Sequence, residues 1–251
     1  INYQYPLSAA IYKILSQGSG EYAAWLHDQG YLTPNGKPMK LFNFSKLMIP
    51  GVKRIDSTLR IPANTSIRLI ISSPMLDDFI QRFVVGLFQH QNIEISSRGV
   101  GAQFTIESVE TATPPDFQSP QKFICLSPVV VSGKHVHKNR EQEYFLRPDD
   151  SGLSEAIRKN LVNKFQLVHQ KTPDDDAFLL SLDADYVRRK GGYRKLSKLI
   201  TIKENSGDEA THIKAFESPF YLTGNAELMQ IAWECGIGQR NSMGFGMIDA
   251  I

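Results

Sequence analysis

A chain of 251 residues, 41% hydrophobic and 22% charged, can bury one large core or two small ones. It has no apolar run near the ~20 residues of a membrane span and no leader pattern, so no membrane partner and a cytoplasmic location are expected. Cys125 and Cys235 are isolated in apolar stretches and read as small buried hydrophobes, not as a disulfide or zinc site; the net charge of +2 does not by itself call for a polyanion.

The first predicted helix carries Leu7, Ala10, Ile11, Ile14 and Leu15 on a 3.6-residue stripe, with Ser8 near its start. A second, about 21–28, follows the turn Gly18-Ser19-Gly20, and strands are predicted at 41–45, 52–56 and 67–71. Ser73-Pro74 then opens a helix whose Leu76, Phe79, Ile80, Phe83, Val84, Leu87 and Phe88 form the clearest amphipathic pattern in the chain. Strands at 93–96 and 104–110 complete a first domain over 1–117, which runs into a proline-rich linker at 113–120.

The second domain, 118–251, opens with a β-rich run at 123–131 and a helix with Leu153, Ile157, Leu161, Phe165 and Val168 on one face. Strands are predicted at 178–182, 199–202 and 212–216. Asn225 caps a helix through Leu228, Ile231, Ala232 and Cys235, and a last strand covers 247–251. The order is β-α-β-β-α-β, the ferredoxin-like pattern. The first half repeats it without the opening strand; the chain begins at Ile1 rather than Met, so residues of that strand are expected ahead of it. The predicted fold is α+β, with tandem ferredoxin-like (RRM-like) domains.

Three polar residues near the start suit acid–base chemistry. Tyr12 lies roughly 130° from the apolar stripe of its helix and His27 roughly 140° from that of the next. Both are therefore expected to face away from the core, where a helical hairpin brings them to one surface. Lys40 precedes the strand Leu41-Phe42-Asn43-Phe44-Ser45. Histidine, tyrosine and lysine without a carboxylate pair are what a metal-independent ribonuclease needs, because RNA supplies its own 2′-OH nucleophile. His27 suits either proton-transfer role, Lys40 supplies fixed positive charge, and Tyr12 is easier to defend as acid or donor than as base. The alternative for each residue is ordinary surface decoration. His135 and His137 are read as part of a turn, with no third ligand at metal spacing. His90, His169 and His212 are isolated, and no metal site or cofactor is expected.

Two basic features could meet RNA. Arg188, Arg189, Lys190, Arg194 and Lys195 cluster around Gly191-Gly192 beside Tyr193, in what reads as a basic hairpin. Near the end, Gly236-Ile237-Gly238-Gln239-Arg240-Asn241-Ser242-Met243-Gly244-Phe245-Gly246 places Gly236, Gly238, Gly244 and Gly246 where backbone N–H groups can approach an anion, with Arg240 and Asn241 as a fork of donors. A helix before this loop and a strand after it exclude a dinucleotide fingerprint, which needs the reverse order. No RNP-like aromatic motif is present.

The glycine loop, with the form G-h-G, five residues, G-h-G, resembles the C-terminal signature of the CRISPR-associated endoribonucleases that process precursor CRISPR RNA, the sixth CRISPR-associated protein family. Residues 2–7 through Ile11-Tyr12, then Trp25-Leu26-His27, Lys40 to Ser45 and Leu126-Ser127-Pro128, are similar to other segments of that family. The resemblance implies tandem ferredoxin-like domains and sequence-specific binding of CRISPR repeat RNA. It also implies metal-independent cleavage leaving a 5′-hydroxyl and a 2′,3′-cyclic phosphate. Its Tyr/His/Lys set falls on Tyr12, His27 and Lys40. A catalytically inactive repeat-binding homologue is the alternative; a CRISPR interference complex is a further partner, and a monomer or homodimer is expected. On this reading the first domain cleaves while the glycine loop of the second shapes the RNA-binding surface.

Overall fold

The computed structural model describes residues 3–56, 58–97, 100–137, 140–202 and 211–251, with the backbone alone at Ser97, 134–137 and 140–142. The first half runs α1 (Gln4–Gly18), α2 (Gly20–Asp28), β1 (Tyr31–Leu32), β2 (Pro38–Met39), β3 (Asn43–Phe44), β4 (Lys53–Ile55), β5 (Thr58–Arg60), β6 (Ile71–Ser72), α3 (Gln81–Gln89), β7 (Asn92–Ser97) and β8 (Val100–Thr105). Ser19 ends α1 and caps α2, its hydroxyl accepting from the Tyr22 amide at 3.3 Å. The helices at 7–15, 21–28 and 76–88 form as predicted, the last starting with a π turn over Leu76–Ile80.

The predicted strands of this half fare less well. Only Asn43 and Phe44 of 41–45 pair, antiparallel with Ser72 and Ile71. The predicted strand at 52–56 is one arm of a solvated hairpin, β4–β5, and 93–96 with 104–110 become the hairpin β7–β8, which stops at Thr105. Among the described residues this half has no four-stranded sheet. Its core comes mainly from helices and aromatics: Leu7, Ile11, Leu15, Leu26, Phe42, Phe44, Phe79 and Phe83 are buried together. Ile71, Ile93 and Ile95 close it from the strands.

The second half runs β9 (Gln121–Cys125), β10 (Ser132–His137), β11 (Arg140–Phe145), α4 (Leu153–His169), β12 (Phe178–Leu182), α5 (Ala184–Arg189), β13 (Ser197–Ile202), β14 (Thr211–Phe216), β15 (Phe220–Gly224), α6 (Ala226–Cys235) and β16 (Ile248–Ala250). Strands β12, β15, β9 and β16 form one antiparallel sheet in that order. Counting the sheet strands along the chain gives the order 2-3-1-4, with α4 and α6 as crossovers, which is the ferredoxin-like arrangement. One of the two inner strands is Phe220–Gly224, which sequence reading passed over. The segments predicted as sheet strands at 199–202 and 212–216 instead form a separate hairpin, β13–β14. The turn predicted around His135 and His137 is a hairpin too, β10–β11; the side chains of both histidines lie outside the described residues. No helix of the described residues is long and apolar enough to cross a membrane.

The halves are bonded across their seam. The last turn of α6 leaves carbonyls without helical partners, and the Glu234 carbonyl accepts from Asn43 Nδ2 at 2.8 Å and from Ser72 Oγ at 2.9 Å. Lys46 pairs with Glu217 at 3.0 Å, and its amide donates to the Leu126 carbonyl.

Candidate active site

Tyr12 sits mid-helix on α1, His27 at the end of α2, and Lys40 immediately after β2. The turn from α2 into the β1–β2 hairpin returns the chain so that Lys40 Nζ donates to the His27 carbonyl at 2.7 Å. The Tyr12 and His27 rings meet edge to face, with centroids 5.4 Å apart. A favourable aromatic geometry thus couples two helices that sequence periodicity had merely placed side by side. The three predicted residues come together.

Their surroundings differ. The His27 side chain is 70% exposed, and its Nδ1 lies 2.9 Å from Asp28 Oδ1, which leaves Nε2 as the ring nitrogen not engaged by Asp28. Tyr12 does not face solvent as its helix position predicted. It is half-buried, edge-on to Phe42 at 5.6 Å, and Phe42 stacks on Phe79 at 4.6 Å. Burial raises its hydroxyl to about 12, opposed by a side-chain hydrogen bond with Ser242. Tyr12 is therefore protonated at neutral pH. Burial lowers Lys40 from the usual lysine value, with Asp28 pulling the other way.

The chain is strained beside Lys40. Leu41 adopts a left-handed backbone, φ 51°, uncommon for a residue with a bulky side chain. Its side chain is buried in the core of the second half, while Phe42 next to it is buried in that of the first. Lys40 stands where the chain crosses between cores. It lines a cleft of about 550 Å³ between the halves, with Lys37, Lys164, Arg240 and Ser242 among the other walls.

The glycine loop is built differently from a bare anion cradle. Gly236, Gly238, Gly244 and Gly246 are all buried. A Cβ on Gly238 would lie 2.2 Å from the Val130 carbonyl oxygen, and one on Gly246 2.0 Å from that of Ile237. The glycines thus admit the protein's own backbone. The Gly246 amide donates to Pro128 and the Gly244 amide to Asn241. The fork of free donors expected of Arg240 and Asn241 is not open either. Asn241 Nδ2 donates to the carbonyls of Ile237 and Phe245, at 3.1 and 3.0 Å, and Arg240 pairs with Glu143 at 3.1 Å.

Lys164, overlooked in the sequence, holds this loop. Only 3% exposed, it donates to the carbonyls of Gly236 and Gly238 at 2.7 and 3.1 Å and to Asn241 Oδ1 at 2.8 Å. Burial pulls its ammonium down to about 8. A signal existed: Lys164 follows Leu161 by three residues and precedes Val168 by four, on the apolar stripe of α4. Ser242 was also missed. Its carbonyl accepts from Ser8 Oγ at 2.7 Å, on the helix that carries Tyr12, so the loop touches the first half.

The basic cluster is not a hairpin. Arg188 and Arg189 end α5; Lys190 and the two glycines turn the chain, and Arg194 and Lys195 lie on a 3-10 turn over Tyr193–Leu196. All five basic side chains are exposed, with Arg188 3.2 Å from Asp185. Among the described residues no three His, Cys, Asp or Glu side chains gather as a metal site.

Comparison with known proteins agrees with this architecture. Residues 1–110 match the family described as CRISPR-associated protein Cas6, N-terminal, and residues 112–250 match CRISPR associated protein Cas6, C-terminal. The chain is similar to the CRISPR-associated endoribonuclease Cas6 1 of Methanocaldococcus jannaschii, 26% identical over 98% of this chain and 85% of that protein. The fold resembles the product of a Cas6-related gene from Pyrococcus furiosus, TM-score 0.79 and 21% identity, covering 100% of this chain and 91% of that one. It also resembles a structure described as an RAMP protein binding different RNA substrates, TM-score 0.77 and 20% identity, covering 100% and 92%. Matched in both halves by its models, the chain belongs to the Cas6 family of CRISPR-associated proteins.

Proposed function

We propose that this protein is an endoribonuclease that cuts precursor CRISPR RNA within the repeat, without a metal, through Tyr12, His27 and Lys40. The observation that carries the reading is the convergence of these three side chains, from three separate parts of the chain, beside the cleft that Lys40 lines. His27 takes the proton of the 2′-OH, whose oxygen attacks the adjacent phosphorus. The bond from phosphorus to the 5′-oxygen breaks, and Tyr12, which keeps its proton at neutral pH, donates it to that oxygen. Lys40 offsets the charge that grows on the phosphoryl oxygens. The products are a 2′,3′-cyclic phosphate and a 5′-hydroxyl. The name of the M. jannaschii relative as an endoribonuclease supports an RNA-cleaving reaction.

The test is cleavage of a labelled repeat RNA in EDTA. The wild-type protein should cut at full rate, with His27→Ala slower by roughly 10²–10⁴-fold. Tight repeat binding without any cut would favour a silent RNA-binding homologue instead, and sensitivity to EDTA would refute the metal-free route.

A further inference from the structure

Residues 46–68 carry Lys46, Lys53, Arg54, Arg60 and Arg68 against a single carboxylate, Asp56. The fold draws them into one two-stranded ribbon. Beyond β3 and β6 the arms stay paired: the Ser45 amide donates to the Ile70 carbonyl at 2.9 Å, Met48 bridges Arg68, and β4 pairs with β5 at the tip. Arg54 Nε donates to the Asp56 carbonyl at 3.1 Å and Thr58 Oγ1 to that of Ile55 at 2.9 Å, so the tip is fixed by its own side chains. The register sets Lys53 directly opposite Arg60, and two cations share one face of the hairpin. Like charges at facing positions oppose pairing. Both side chains are exposed, and among the described residues neither has an ion-pair partner. Glu107 meets the ribbon at Ser66, whose hydroxyl donates to it at 2.8 Å.

The base of the ribbon runs into cations of the second half. Glu217 takes Lys46 on one carboxylate oxygen and Lys198 on the other, so a lysine from each half stands beside the same acid. The Glu217 amide donates to the Leu196 carbonyl at 3.1 Å, in the turn that carries Arg194 and Lys195. Positive charge thus continues across the seam, from Arg194 and Lys198 through Lys46 to Lys53 and Arg60. We propose that the ribbon is a phosphate-binding arm, which holds a strand of RNA by its backbone away from the cut, with Lys53 and Arg60 gripping one phosphate between them. A phosphate there removes the repulsion that the register builds in. The choice of RNA over another polyanion rests on the reading of the Tyr12, His27 and Lys40 cleft as the place of cleavage. Lys46 follows Lys40 by six residues, a span of at most about 20 Å, so one strand can reach both.

The test is affinity for oligouridine, a strand with phosphates but no repeat sequence, measured against salt. Lys53→Gln and Arg60→Gln should each lower the slope of log affinity against log salt by about 0.7, and the double variant by about 1.4. Lys171→Gln, which removes a cation beyond the end of α4, should leave the slope unchanged. Repeat RNA with a 2′-deoxy sugar at the cut lacks the nucleophile and can be footprinted while bound. In the double variant its protection from hydroxyl radicals should be lost in a block that excludes the cut. With saturating protein the double variant should still cut intact repeat RNA at the wild-type rate, since the arm does not touch the reacting atoms. Unchanged slopes overturn the inference and leave an acidic protein face as the ribbon's partner. An equal fall in Lys171→Gln, or protection lost at the cut itself, also overturns it. A wild-type protein that never cuts, with slopes falling as stated, overturns the catalytic reading and leaves the arm standing.

Discussion

The two halves build similar helices but very different amounts of sheet. The second half carries a continuous four-stranded sheet covered by α4 and α6, with an aliphatic and aromatic core. Among the described residues the first has separate two-stranded pairs and fills its core from helix faces and a column of aromatics, Tyr12, Phe42, Phe79 and Phe83. A half with little sheet has much of its chain in turns and helix ends, and there two of the three candidate side chains, His27 and Lys40, emerge, while Tyr12 comes from the middle of α1. The half with the complete sheet contributes support: a buried lysine, a close-packed loop and one serine. The candidate side chains and the packing beneath them are thus divided between the halves, which meet where Ser8 Oγ donates to the Ser242 carbonyl.

The division is broken most severely by removing the support. Lys164→Met leaves the carbonyls of Gly236 and Gly238 and the Asn241 oxygen without this donor, at a position only 3% exposed. Each buried acceptor left unpaired is costly, so a loss of about 3 kcal/mol or more in urea unfolding is expected. Hydrogen exchange should quicken first at the loop. A native-like stability would mean that water replaces the ammonium.

The first half has its own close contact, of another kind. α1 crosses α3 where a Cβ on Gly86 would lie 2.0 Å from the Ile14 carbonyl oxygen. The obstacle is backbone, which cannot rotate aside. Gly86→Ala should therefore cost about 2 kcal/mol, with faster exchange in α1 and α3 rather than at the glycine loop. If exchange rises equally in both halves, they fold as one unit and the contrast drawn between them is wrong for stability.

What the sequence showed follows the same line. Helix direction fixes where each side chain points, so periodicity alone set Tyr12 and His27 on a common surface. It could not show that Tyr12 would be covered, since the ring packed on it belongs to Phe42, thirty residues further on. Strands were harder. Phe220–Gly224 is short and follows Pro219, while the runs near 199–202 and 212–216 mimic sheet strands but pair with each other, apart from one bridge from Phe216 to Val129. Lys164 was hidden by convention: a stripe counted by its hydrophobic members does not register the lysine among them. The glycines were legible as places of close approach, but sequence cannot say whether the approaching group is RNA or the protein's own carbonyls.

pH separates the charged members of the site. Burial lowers Lys40 and raises Tyr12 to about 12, so as pH rises Lys40 loses its proton first. The alkaline fall in cleavage rate should thus belong to Lys40 and lie below the ordinary lysine value. Lys40→Arg, with a guanidinium that stays charged, should be slower at neutral pH but hold its rate at least one pH unit further into the alkaline range. A limb in the same place in both proteins would assign it elsewhere, and Lys40 would then serve only to hold the His27 carbonyl.

The smallest expected effect concerns RNA affinity and compares two sets of cations in the second half. Arg194 is exposed on the turn after α5 and has no ion-pair partner among the described residues, whereas Arg240 at the cleft is held by Glu143. A phosphate can meet Arg194 without breaking anything, but must compete with a carboxylate for Arg240. If Arg194 contacts single-stranded RNA, Arg194→Ser should lower the slope of log affinity against log salt by about 0.7, or about threefold in affinity between 50 and 200 mM salt. Sequence preference should not change, since a phosphate contact reads no base. Arg240→Ser should lower the slope by less. The reverse order would mean that the RNA backbone runs through the cleft and displaces Glu143, leaving the exposed cluster as a solvated surface; equal, unchanged slopes would remove both sets from the path.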